Sequence, residues 1–63
     1  MQHMTLKQAR EKRKLSRAKL AAKSGVNRST VIRIEKGEVR PLYQTVVALQ
    51  EALGGLKFSV DAA

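Results

Sequence analysis

Four side chains near the middle of the chain, Arg28, Ser29, Ile32 and Arg33, combine types and spacing that suit one chemistry, the reading of base edges. Each arginine can bond bidentately to the O6 and N7 acceptors of a guanine. A serine hydroxyl donates or accepts at a base edge or a phosphate, and an exposed isoleucine suits a thymine methyl. Two of these positions have a second reading: Arg33 can hold a phosphate instead of a base, and Ile32 as an exposed apolar residue needs no partner. The four face outward together because Val31 and Ile34, interleaved with them, take the inward side of a helical period.

Other chemistries find few residues. The chain has no cysteine, so disulfides and thiolate metal sites are excluded. Its one histidine, His3, lies at the extreme start, where residues 1–4 are expected to be poorly ordered and Met1–His3 are either native or a tag or initiator remnant. No carboxylate pair is placed for acid–base work, since Glu35 stands alone in a basic stretch and Glu38 sits in a loop. The expectation is a protein that is not an enzyme and needs no cofactor or metal.

The base-reading set needs elements that hold it. Thr5, with Gln8 three residues on, has the capping-box pattern for a first helix ending near Lys14-Leu15. Ser16 caps a second, Arg17 to Ser24, which Gly25 stops. Asn27 caps a third helix to about Lys36, ended by Gly37. Beyond a loop from Glu38, Pro41 opens a fourth, with Leu42, Val46, Leu49 and Leu53 as its apolar stripe, and Gly54-Gly55 closes it. Within Arg17 to Lys36, Ala21 is small where two helices cross, Gly25 accepts a positive φ at the turn, and Leu20, Val26, Val31 and Ile34 tie both helices to a core. Two short helices held at a fixed angle by a tight turn let one brace on phosphates while the N-terminal end of the other enters a major groove.

The charge agrees. Thirteen Lys and Arg face five Asp and Glu, a net charge of +8 at pH 7. Twelve of the thirteen lie between Lys7 and Arg40, so a polyanion-binding part is followed by a near-neutral part. Nucleic acid is the leading partner, with a membrane surface or an acidic protein as the alternatives. At 63 residues the core is small, and association is a common way for such a domain to gain stability. No apolar run approaches the length of a membrane span, no signal peptide is visible, and a soluble cytoplasmic, nucleoid-associated protein is expected.

From Leu6 to Leu53 the chain resembles the lambda-repressor-like (Cro/C1, or XRE) helix-turn-helix family. The carrying residues are Leu6, Arg13, Leu15-Ser16, Leu20-Ala21, Gly25-Val26, Ser29-Thr30-Val31, Ile34-Glu35, Gly37, Pro41 and Leu53-Gly54, without a gap. The resemblance implies a mainly α, compact domain of four to five helices that binds a palindromic operator as a dimer, usually as a transcriptional repressor. It places the recognition positions on Asn27, Arg28, Ser29, Ile32 and Arg33. Phosphate bracing falls on Arg17, Lys36 and the loop Glu38 to Arg40, with Tyr43 nearby, and Asn27 and Lys19 join that set. Glu35 is implied to pair with Arg10 or Arg13. Two departures stand out. Arg17 replaces a common glutamine, which keeps a phosphate contact and changes the bracing. Lys19 replaces a frequent glutamate, loses the capping-box partner of Ser16, and places a cation at a helix N-terminus.

After the helix-turn-helix domain, residues 5–54, the segment 55–63 changes period. Leu56, Phe58 and Val60 alternate with Lys57 and Ser59, a half-buried strand pattern. Either two copies pair across a dimer axis, or Leu56 and Phe58 rest on the chain's own core. The segment Leu56 to Ala62 is similar to the strand that follows the last helix in antitoxins of kinase-type toxin–antitoxin systems. That likeness implies an autoregulating antitoxin with a toxin partner. A phage or chromosomal repressor without a toxin, and a protein-interaction module using the helical bundle, are the alternatives.

Overall fold

A computed structural model describes residues 4–59. Four helices follow in order, α1 (Leu6–Lys12), α2 (Arg17–Ser24), α3 (Arg28–Glu35) and α4 (Tyr43–Ala52). They form where local chemistry satisfies their ends. The Thr5 hydroxyl accepts from the Gln8 amide, and the Gln8 side chain accepts in return from the Thr5 amide, completing the capping box of α1. Ser16 accepts from the Lys19 amide at 3.0 Å, so α2 keeps half of such a box although Lys19 cannot return the bond. Asn27 accepts from the Ser29 amide at 2.8 Å to open α3. Gly25 closes α2 at φ 76°, with open space where a Cβ would lie, so its requirement is conformational rather than steric.

Lys14, between α1 and α2, also has a left-handed φ, 57°. A side chain there costs about 1 kcal/mol relative to glycine. Lys14→Gly is therefore expected to raise the urea midpoint by an amount worth up to about 1 kcal/mol, less the entropy that glycine gains in the unfolded chain. A destabilised Lys14→Gly would show that the lysine stem makes contacts that outweigh the strain.

One core joins the elements: Leu6, Ala9, Leu20, Val31, Ile34, Leu49, Leu53 and Phe58, with Val26, Val46 and Leu56 packed against it. The middle helices organise it, α2 packing on both α3 and α4 and α1 on α3. Leu20, Val31, Leu49 and Leu53 are fully enclosed.

Two expectations are corrected. Leu42 is not part of the buried stripe of α4; it is the N-cap residue, in an extended conformation, and 67% exposed. The expected C-terminal strand is not formed among the described residues. Residues 56–59 take no regular secondary structure and keep the alternation, with Phe58 buried, Leu56 half-buried, and Lys57 and Ser59 exposed. The apolar face covers the chain's own core, and the Ser59 amide donates to the Met4 carbonyl at 2.7 Å. The physical reason is area: a core this small gains about 2–3 kcal/mol by enclosing one phenylalanine. Phe58 thus serves the single chain, and Val60, the third residue expected at a dimer contact, lies outside the described residues, as do residues 1–3.

Candidate nucleic-acid interface

Each residue of an α-helix advances by about 100°, and this sorts the side chains of α3. Val31, Ile34 and Glu35 share the side facing α1 and α2, and their side chains are buried. Ser29 and Arg33 lie opposite and are exposed, as is Arg28 at the first position of the helix. Ile32 falls on the flank and is half-buried, not fully exposed as the sequence suggested. The amino end of α3 carries no acidic residue, so the positive end of its dipole and Arg28 present one sign of charge outward.

The expected phosphate-holding residues Lys19, Asn27, Lys36, Arg40 and Tyr43 are all exposed. Tyr43 is 84% exposed at the first position of α4. Thr30 and Arg33 of α3 line one shallow cleft, of about 270 Å³, with Arg40 and Thr45, which sets the loop cation beside the recognition helix. Asn27 spends its side-chain oxygen on the cap of α3 and retains its amide N–H groups as donors.

The bracing of α3 rests on Glu35. Its carboxylate accepts from Arg10 Nε at 2.7 Å and from Arg17 Nε at 3.0 Å. The glutamate side chain is 3% exposed, that of Arg10 10%, that of Arg17 43%. Burial opposes ionisation of Glu35, but the hydrogen bonds from Arg10 and Arg17, and then their charges, outweigh it and hold the carboxyl below the usual glutamate range. Arg10 also donates to the Leu15 carbonyl at 2.8 Å, so one guanidinium ties α1, the turn after it and α3 together. Arg13, the other partner considered for Glu35, instead donates to the Leu53 carbonyl at 2.8 Å and closes the end of α4. The ion pair of Arg17 has no signal in the sequence. Its partner is 18 positions away, and only the angle between α2 and α3 brings them together. Half of the Arg17 side chain still faces outward, so the ion pair leaves it able to meet a phosphate as well.

Two linked helices, a glycine turn, an outward basic face and a buried ionic brace define a helix-turn-helix domain. The family profile described as helix-turn-helix, of the Cro/C1 (XRE) type, matches residues 6–59, and the chain belongs to this family of DNA-binding transcription regulators. Compared with curated proteins and with solved structures, the chain finds no match. No helix among the described residues is long and apolar enough to cross a membrane.

Proposed function

We propose that the chain is a sequence-specific repressor that binds a palindromic operator as a homodimer, with α3 in the major groove. The observation that carries this reading is the division of α3, whose inner face is locked by Glu35 while Ser29 and Arg33 stand exposed on the outer one and Arg28 at its amino end. Arg28 and Ser29 read bases, with Ile32 at the edge of the contact and Arg33 on a base or the adjoining phosphate. Arg17, Lys19, Asn27, Lys36, Arg40 and Tyr43 grip the backbone. No catalysis or cofactor is part of this proposal, and the protein works where the chromosome is, on the nucleoid in the cytoplasm.

Binding to a specific duplex separates the two classes of contact. Arg28→Ala is expected to cost about 1–3 kcal/mol and to relax discrimination at one base position. Lys36→Ala is expected to weaken all duplexes about equally. A sequence-selective loss at Lys36, or none at Arg28, contradicts the assignment.

An autoregulating antitoxin with a kinase-type toxin partner is the narrower form of this reading. It is supported by the alternation of Leu56 and Phe58 and by the likeness of Leu56 to Ala62 to an antitoxin strand. The intact chain is expected to have the mass of a dimer in sedimentation at high micromolar concentration, and a monomer throughout that range contradicts strand pairing.

A further inference from the structure

A second cleft, of about 250 Å³, lies between the α1–α2 turn and the carboxyl end of α4 and shares no residue with the base-reading set. Leu15, Ala52 and Leu53 give it an apolar floor, and the exposed Arg13 and Lys23 stand at its rim beside Gly54. Arg13 is held in place by its bond to the Leu53 carbonyl, so little side-chain freedom is left to lose when it meets a partner. On the same elements, Lys12 and Lys14 add to Arg13 and Lys23, against Glu11 and Glu51. Lys14, between two of the lining residues, keeps a cation at a backbone position where glycine would be less strained.

We infer that this cleft docks an acidic polypeptide segment that carries one apolar side chain. Charge complementarity selects the acidic flanks, and the floor selects the anchor. The volume suits one leucine or phenylalanine side chain, whereas a drug-sized ligand needs roughly 300–1,000 Å³ of more enclosed space. Nucleic acid fits less well. Its phosphates gain nothing from Leu15, Ala52 and Leu53, and no aromatic ring lines the cleft for a base to stack on. The site includes no residue of α3 and does not depend on the DNA reading.

The test titrates the full, isotope-labelled chain with a short peptide of one leucine flanked on both sides by glutamates, followed by amide NMR shifts. Saturable shifts centred on Leu15, Lys23 and Ala52 to Gly54 are expected. Serine in place of the leucine, or Lys23→Glu in the protein, should each weaken binding by about fivefold, the scale of one lost apolar contact or one reversed exposed ion pair. Lys23 is exposed and outside the core, so the variant should keep a folded spectrum. Shifts centred on Arg28 to Arg33, equal binding of the serine peptide, an indifferent Lys23→Glu, or no saturation by about 1 mM would each overturn the proposal.

Discussion

Glu35→Ala is expected to destabilise the domain by about 3–5 kcal/mol, because it strands the buried Arg10 guanidinium without its counter-charge. A small domain of this kind holds roughly 5 kcal/mol in all, so the variant should be largely unfolded at room temperature. Circular dichroism against urea measures the loss. Removing the partners should not cost equally. Arg10→Ala leaves Glu35 to the half-exposed Arg17 and frees the Leu15 carbonyl, and it should approach the same magnitude. Arg17→Ala, with Arg10 still in place, should cost no more than about 1 kcal/mol, as solvent screens an exposed pair. The sign with pH is set by the lowered carboxyl of Glu35. Its stabilisation is complete above the unfolded-state value of about 4.3 and is lost as the pH falls through the lower folded-state value. An acid limb steeper in the native chain than in Glu35→Gln would show this linkage. If Glu35→Ala lost less than 1 kcal/mol, the brace would not be what fixes α3.

The other large expected effect is on DNA affinity, which should fall roughly 10³–10⁵-fold between 50 and 200 mM salt if a dimer makes six to ten phosphate contacts. Six exposed candidates per chain, Arg17, Lys19, Asn27, Lys36, Arg40 and Tyr43, are more than enough, though only the four cations among them release counterions. Each cation removed should lower the slope of log affinity against log salt by about one per contact. A shallow slope, below about two, would mean that the basic stretch from Lys7 to Arg40 is mostly solvated surface.

What could be read in advance divides by the range of the interactions. Caps act over three residues, so Thr5 with Gln8, Ser16, and Asn27 announce the starts of α1, α2 and α3 in the order of the letters. The period of α3 likewise assigns Val31 and Ile34 inward and Ser29 and Arg33 outward, whereas Arg28, about 60° from Val31, is exposed because it opens the helix. Long-range pairing is different. Arg10 meets Glu35 across 25 positions, and both it and Arg13 were equally eligible until the geometry sent Arg13 to the Leu53 carbonyl. Alternation at Leu56 and Phe58 shows that one face is covered, but period alone does not say by what. The answer is the chain's own core. Ile32 reads as exposed in the sequence but is half-buried, because a flank position about 100° from Val31 belongs to neither face.

The most direct test of the central claim, that the outer face of α3 reads duplex sequence, is selection of bound duplexes from a random pool at physiological salt. The account predicts a palindromic consensus with half-sites about one helical turn apart, and loss of one position in each half-site when Arg28→Ala is used. Recovery of duplexes without any consensus, bound equally by the native chain and by Arg28→Ala, would contradict it.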